Sequence, residues 1–378
     1  HPAIQSCKAW GMQLPLHHNP APGDDAIRQA LARAVAALTG GHLITAGDVR
    51  PLPQKGIAHR HYHLGGTDGW LARVPRLSQF ALAAGDNLTY QAACFARAAA
   101  SGHTPRLHHV LPPSAALPMG ALVIDAIAGE ALKPTRDMAA VAVCLAQVHG
   151  LPMPAPPARP PLADHSDPVA GTMAFIEDQA RHIDAAVPMP EVRRALAEEL
   201  AWARRFADRV AGQAQPRALV LSDTHPGNFL RAADGKAWFV DLEKALYGAP
   251  AVDLAHASLF TSTTWDIAAH GVLDRDAVMA FYGAYLAAVP AERAAALRPW
   301  LNDMRRLTWL RTTTWSCKWA ATRSAAAANG DADETADAAE RTLRAHIAER
   351  LRNFTAPATV ARCRAEWLDS DPLDLARA

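Results

Sequence analysis

The sequence of 378 residues predicts an α+β protein with a small mixed unit, residues 1–125, followed by a larger, mainly helical unit, residues 126–378. Three observations support this prediction. Short runs rich in β-branched residues and interrupted by glycine occupy residues 41–76. After Gly129, apolar residues recur mostly at helical spacing. A single β-like interruption of that helical pattern lies at 218–243.

The first predicted element is an amphipathic helix over residues 24–39. It begins with two aspartates and then places apolar side chains at helical spacing, at Ile27, Leu31, Val35 and Leu38. Acidic side chains in a first turn interact favourably with the helix dipole, so the start of the helix is well defined.

The rest of the first unit reads as a sheet with one more helix. Residues 41–76 predict an antiparallel meander with a glycine-rich turn at 65–69. Residues 87–101 return to helical spacing, and 119–125 form an apolar strand. The first unit is therefore predicted to be a small α+β unit.

The second unit contains six segments with helical periodicity, separated by a proline-rich connector at 151–162 and an Ala/Gly/Asp-rich surface loop at 324–338. The predicted helices are 137–149, 169–185, 190–213, 275–289, 291–323 and 335–356. No internal repeat is present.

Composition excludes several classes of protein. Half of the residues are hydrophobic and the formal net charge is +1, so the chain is expected to be globular, with no overall attraction to nucleic acid or to an anionic membrane. Prolines interrupt the longest uncharged runs, which argues against a spanning helix. The five scattered cysteines show no metal or disulfide spacing, and the opening residues show no signal-peptide pattern. The expected location is the cytoplasm.

The segment 217–256 contains the candidate catalytic and metal-binding residues. An apolar strand, 218–221, ends in a polar loop, 222–228, and two further strands flank Asp234 and Gly235. This dipeptide is typical of a two-residue hairpin turn, and that register places Asn228 directly opposite Asp241.

Such a pair of oxygen-bearing side chains can supply ligands to Mg²⁺. Asp223 is expected at the same open end of the hairpin. A carboxylate there can accept the proton of a hydroxyl that attacks a phosphoryl group. The alternative is that Asp, Asn, Pro and Gly simply form the loops of a hairpin. The ordered set D-x-x-x-x-N, hairpin, apolar-D-x-E favours the catalytic interpretation.

Two motifs resemble those of the aminoglycoside phosphotransferase and choline kinase-like family. The segment LSDTHPGNFL, residues 221–230, resembles the family's H-G-D-x-H-P-x-N loop. The segment VDLEKALYGAPAVDLA, residues 240–255, is similar to I-D-W-E-x-x-x-x-G-x-P-x-x-D-L-A. Weaker similarities around Gly129 and in LAQVH, residues 145–149, extend the resemblance over roughly 41–320.

The resemblance implies a bilobal protein-kinase-like fold, with a nucleotide-binding lobe over 1–125 and a catalytic and acceptor-binding helical lobe over 126–378. Asp223 would be the catalytic base, and Asn228 and Asp241 would hold Mg²⁺. Glu243 would lie near the metal or the substrate. Asp253 would be a buried carboxylate that organises the loop.

In the first lobe the resemblance assigns the nucleotide contacts. Gly56 occupies the place of the phosphate turn, and Arg73, in the strand LARVPR, would contact phosphate. Gln91 stands where the family has a glutamate that pairs with this cation. Asp125 and Ile127 would offer backbone groups to the adenine.

Two further groups leave alternatives open. His59, His61 and His63 alternate along a strand, so they share one face and form either a metal site or a polar strand surface. Trp315 and Trp319, near Arg311, form either helix core or the wall of an acceptor pocket suited to a cationic amine.

Four acidic residues follow the proline-rich connector: Asp164, Asp167, Glu177 and Asp178. They could steer a cationic acceptor or simply form a solvated face.

The predicted function is an ATP- or GTP-dependent phosphotransferase that acts on a hydroxyl of a small molecule, with Mg²⁺. The acceptor could be an aminoglycoside, an amino alcohol or a sugar; neither the nucleotide preference nor the oligomeric state follows from the sequence. Gln91, Leu221 and the sparse glycine turn keep a nucleotide-binding pseudoenzyme as an alternative. A nucleotidyl transferase on the same fold is the third possibility.

Overall fold

The structure is a computed structural model that describes residues 23–38, 44–53, 56, 58–67, 69–328 and 338–378. It contains ten strands and thirteen α-helices within these residues. The strands are β1 (Val49–Pro51), β2 (His59–Leu64), β3 (Trp70–Pro75), β4 (Leu107–Leu111), β5 (Ala121–Asp125), β6 (Glu130–Ala131), β7 (Ala218–Val220), β8 (Phe229–Arg231), β9 (Ala237–Phe239) and β10 (Leu246–Gly248).

Most of the helices follow the predicted pattern with shifted ends. They are α1 (Asp24–Leu38), α2 (Ala84–Ala98), α3 (Pro134–His149), α4 (Pro168–Ala180), α5 (Ile183–Ala186), α6 (Pro190–Val210), α7 (Pro250–Ser258), α8 (Phe260–Thr263), α9 (Arg275–Ala288), α10 (Ala291–Leu297), α11 (Leu301–Ala328), α12 (Ala338–Phe354) and α13 (Pro357–Leu368).

Strands β1 to β5 form one antiparallel sheet in the order β1-β2-β3-β5-β4. Its side chains alternate between two faces, as strand geometry requires. Tyr62, Ala72 and Val123 pack with α1 in one apolar cluster. Leu122 and Ile124 belong to the larger core on the other side. The predicted meander and both predicted helices of the first unit are therefore confirmed.

The second part packs helices around the long helix α11, which contacts α4, α5, α6, α7, α12 and α13. Two predicted helices are interrupted. The segment 169–185 divides into α4, which ends at Ala180, and α5. The segment 291–323 breaks at Arg298–Trp300, where Pro299 removes a backbone donor. The predicted loop at 324–338 is wrong at its start, because α11 continues to Ala328, and residues 329–337 lie outside the described part of the chain.

Three helices, α7, α8 and α13, and three strands, β4, β6 and β10, were not predicted. Helix α7 is buried on almost every side, so its sequence lacks the alternation of an amphipathic helix. Within the described residues no helix is long and apolar enough to cross a lipid bilayer. Four of the cysteines, Cys94, Cys144, Cys317 and Cys363, are buried free thiols.

The predicted hairpin exists, but its register differs by one residue. Phe229 pairs with Phe239 and Arg231 with Ala237, so Asn228 lies opposite Val240 and not Asp241. The Val240 amide donates to the Asn228 carbonyl at 3.0 Å. The turn has three central residues and ends with Gly235 at φ +87°, which is a common hairpin turn. The extra residue shifts the register.

Candidate active site

One cavity of about 1150 Å³ lies between the five-stranded sheet and the helical part. It receives side chains from β2, β3, the loop 222–228, α4, α11 and α12. All the site residues predicted from the sequence line it: Gly56, Arg73, Asp125, Ile127, Asp223, Asn228, Asp241, Glu243, Trp315 and Trp319.

The loop that carries Asp223 is held from behind by Asp253, a fully buried carboxylate at the start of α7. Asp253 accepts hydrogen bonds from the backbone amides of Leu221 at 2.6 Å and Ser222 at 2.8 Å. It also lies 3.0 Å from Nε2 of His149, whose Nδ1 meets the Tyr285 hydroxyl at 2.9 Å. The predicted role of Asp253 in organising the loop is confirmed.

The loop also contains a strained residue. Ser222 has φ +66°, a left-handed conformation that costs a non-glycine residue about 1–2 kcal/mol. The resemblance contained this signal, since the family motif H-G-D places glycine at the position of Ser222. The two hydrogen-bonded amides at Asp253 hold the loop in this conformation.

Asp223 forms an ion pair with Lys244, whose Nζ donates to Oδ2 at 2.6 Å. Burial disfavours both charges, but their mutual attraction outweighs it. The pKa of Asp223 is therefore well below its ordinary value, with His225 and His256 adding to the effect, and the pKa of Lys244 is raised. The sequence reasoning missed Lys244, although it follows the D-x-E motif directly.

Asn228 and Asp241 both line the cavity, although they are not cross-strand partners. The Asn228 amide nitrogen donates to the Asp223 carbonyl at 2.8 Å, which leaves the amide oxygen as its acceptor atom. An amide oxygen beside carboxylates is a donor set suited to a hard cation such as Mg²⁺.

Excess negative charge in the same place is consistent with a cation site. Burial, and then repulsion from Asp241, raises the pKa of Glu243 to about 7. One oxygen each of Asp241 and Glu243, with a ring nitrogen of His59, lie within 4.8 Å of one another. The residues present therefore fit a divalent cation.

Arg73 is almost completely buried and pairs with Asp241. Its guanidinium also lies 3.1 Å from His59 Nδ1. His59 stands between Arg73 and Gln91, because its Nε2 is 3.2 Å from the Gln91 amide oxygen. Gln91 therefore contacts His59 and Glu243, and Asp241 is the carboxylate partner of Arg73.

The three alternating histidines share one face, as predicted, and all line the cavity. They do not form a three-histidine ligand set, because His59 and His61 both face Arg73 across the sheet. At the end of β5, the Asp125 carboxylate pairs with Arg106 at 3.1 Å and with His108 at 2.7 Å. That the backbone of Asp125 serves a nucleotide stays a prediction.

The far end of the cavity is aromatic. Trp265 packs edge-on against Trp315, with centroids 5.6 Å apart, and lies 6.1 Å from Phe354. Trp315 and Trp319 thus line the cavity and also belong to a local apolar cluster. Trp265 and Phe354 were missed because α12 and the segment after α8 reach this wall only through tertiary packing.

Solved structures share this architecture. The chain aligns with a choline/ethanolamine kinase family protein from Mesorhizobium loti at a TM-score of 0.54 and 17% identity, covering 89% of this chain and 99% of the other. For the choline kinase LicA from Streptococcus pneumoniae the TM-score is 0.51 at 12% identity, with coverages of 86% and 99%. For the macrolide 2'-phosphotransferase MphH from Brachybacterium faecium it is 0.50 at 17% identity, with coverages of 84% and 97%. The fold is therefore protein-kinase-like, as predicted.

The sequence comparison is more specific. The profile of the phosphotransferase enzyme family matches residues 48–288, which is more than half of the chain. The chain belongs to this family. A search of curated proteins gives no match.

Proposed function

We propose that this protein transfers the γ-phosphoryl group of ATP or GTP to a hydroxyl group of a small molecule. The observation that carries the proposal is the position of Asp223. Asp223 lines the same cavity as Arg73 and Asp241 and as the aromatic wall. Family membership supports the same reaction class.

Asp223 would orient the acceptor hydroxyl and accept its proton as the oxygen attacks phosphorus. The lowered pKa keeps the carboxylate ionised, which suits this role because phosphoryl transfer depends mainly on positioning and charge stabilisation. The rigid attachment of the loop to Asp253 restricts the movement of the base.

Asn228 and Asp241 would hold Mg²⁺, which when bound neutralises charge on the transferred phosphoryl group. Among the described residues, Arg73 pairs with Asp241 and Lys244 pairs with Asp223. These pairs would hold both cations at the place where phosphate oxygens enter.

The first test is Asp223→Asn. We expect turnover to fall by ~10²–10⁴-fold, the range for a general acid-base group, while ATP binding and folding persist. The matched control is Asp234→Asn, which changes an exposed carboxylate of the hairpin turn. Wild-type turnover in Asp223→Asn would refute the assignment of the base.

Mass spectrometry of the products separates the alternatives. A panel of hydroxyl-bearing metabolites is incubated with ATP and Mg²⁺. A phosphoryl-sized mass gain supports the proposal, and a nucleotide-sized gain indicates nucleotidyl transfer. Retained ATP binding with no product across the panel indicates a pseudoenzyme.

A further inference from the structure

The acceptor end of the cavity combines an arginine with aromatic walls. We define it by six lining residues: Phe175, Trp265, Arg311, Trp315, Trp319 and Phe354. We infer that the acceptor is a hydroxyl compound with a flat apolar body and a carboxylate, and that Arg311 binds this carboxylate. The inference rests on the proposed function, since it names the class of acceptor.

Arg311 differs from its neighbours on α11. Arg305 pairs with Glu366 at 2.6 Å, and Arg306 pairs with Glu199 at 2.6 Å. In the part of the chain that the structure describes, Arg311 has no carboxylate within 4.0 Å. Its hydrogen-bond partner is the Ser222 carbonyl at 3.2 Å, and its guanidinium lies 5.8 Å from the Phe175 ring centroid.

An arginine that lines a cavity with no carboxylate in ion-pair contact lacks part of the compensation that a buried charge normally receives. Burial accordingly lowers the pKa of Arg311, against the opposing influence of Asp223 and Asp253. An acceptor carboxylate would supply the missing partner, because the guanidinium fork matches carboxylate geometry. The contact to Ser222 places this cation beside the loop that carries Asp223.

A cationic amine could stack on the aromatic walls, but it would face the positive charge of Arg311, and nearby carboxylates that could offset this repulsion make other contacts. Glu177 pairs with Arg204 at 2.8 Å, and Asp178 pairs with Lys318 at 2.6 Å. Asp266 lines the cavity, but its Oδ1 accepts from the amides of Ala268 and Ala269, both at 2.8 Å.

The other two of the four acidic residues that follow the proline-rich connector also make structural contacts. Asp164 pairs with Arg159 at 2.6 Å, and Asp167 caps α4 through the Ala170 amide. The acidic residues proposed from the sequence to attract a cation are therefore engaged in structural contacts. None of those four lines the cavity.

Two further polar groups near Asp223 favour an oxygen-rich acceptor. His225 and His256 each have a buried Nδ1 with no hydrogen-bond partner among the described residues. Both side chains line the cavity, and His256 Nε2 lies 4.0 Å from Asp223 Oδ1. Ring nitrogens of this kind can bond hydroxyl or carboxylate oxygens.

The test uses three probes that share a flat body and a hydroxyl: para-hydroxymethyl benzoate, its carboxamide and para-hydroxymethyl benzylamine. Calorimetry on the whole protein measures the affinity of each probe, and mass spectrometry with ATP and Mg²⁺ measures product. We expect the benzoate to bind about 10–100-fold more tightly than the carboxamide, as one charge-assisted contact predicts. We expect the benzylamine to bind most weakly.

Arg311→Gln should remove the preference for the benzoate and leave carboxamide affinity within about threefold, while Arg311→Lys should restore part of it. Arg194→Gln changes an exposed arginine on α6 that lies outside the cavity lining. It is the matched control and should bind all three as the wild type does. If Arg311→Gln does not fold, the order of the three probes on the wild-type protein decides the question.

Equal affinity for benzoate and carboxamide, tighter binding of the benzylamine, or no binding of any probe would overturn the inference. Failure of the proposed function looks different. Benzoate binding that depends on Arg311, without a phosphoryl-sized mass gain on any probe or on the metabolite panel, would leave the carboxylate site standing and refute phosphoryl transfer.

Discussion

At the scale of single residues, the charged side chains of the cavity shift each other's pKa values. Lys244 keeps Asp223 ionised against the cost of burial, and Arg73 pairs with Asp241. Glu243 is the exception, because burial and the neighbouring Asp241 both favour its protonated form. The two carboxyl groups at 223 and 243 therefore have opposite tendencies within the same cavity.

Lys244→Met should change the pH profile of catalysis. In the wild type the pKa of Asp223 is lowered, so the carboxylate stays ionised when the pH falls through the mildly acidic range. Without the ammonium group, burial dominates and the pKa of Asp223 rises. We expect the acid limb of the kcat/KM profile to move to higher pH.

The comparison is Lys236→Met, which removes a lysine that packs on Trp238 at 4.2 Å and does not line the cavity. Its profile should match that of the wild type. An acid limb at the same pH in Lys244→Met and wild type would mean that Lys244 does not control the ionisation of Asp223.

At the scale of elements, the hairpin β8-β9 depends on the conformation of its turn. Gly235, at φ +87°, ends the three-residue turn, and an added Cβ would meet only the end of the Arg231 side chain, at 3.5 Å. Steric overlap is therefore minor, and the cost of replacing this glycine is a backbone cost.

Gly235→Ala should lower the free energy of unfolding by about 1–2 kcal/mol, the cost of a left-handed non-glycine residue. Gly85→Ala is the control, because Gly85 lies in the first turn of α2 with no atom near the position of an added Cβ. It should cause no loss of stability. Denaturant titration of both variants measures the difference, and equal stabilities would contradict the assigned turn.

At the scale of the whole molecule, buried ion pairs attach the carboxyl-terminal helix α13 to the core. Arg305 on α11 is almost completely buried and donates to both oxygens of Glu366 on α13, at 2.6 and 2.9 Å. Glu199 on α6 is fully buried and accepts from Arg306 and Arg364. These contacts join three helices that are far apart in the sequence.

Glu366→Ala should lower the free energy of unfolding by about 3–5 kcal/mol, because it leaves the buried Arg305 without its carboxylate. Glu349→Ala removes an exposed pair with Arg350 on α12 and should change stability little. Thermal and urea unfolding compare the two variants. A similar small effect in both would show that α13 is not anchored through this pair.

The positions of the candidate catalytic and metal-binding residues along the chain could be predicted from the sequence alone. Only short segments and one hairpin separate Asp223, Asn228 and Asp241 in the sequence. Local geometry therefore brings the three side chains to the same end of the hairpin. Alternation places His59, His61 and His63 on one sheet face for the same reason, since strand periodicity is a local property. The family resemblance then predicted the two-lobed fold.

Tertiary structure decided which groups meet. The three-residue turn moved Asn228 opposite Val240, because one extra residue shifts a β register. Arg73 pairs with Asp241, which is 168 residues away, while His59 separates it from Gln91. The absence of a carboxylate partner for Arg311 among the described residues depends on how α4 and α11 pack. Such pairings depend on long-range contacts between side chains, which periodicity and spacing do not contain.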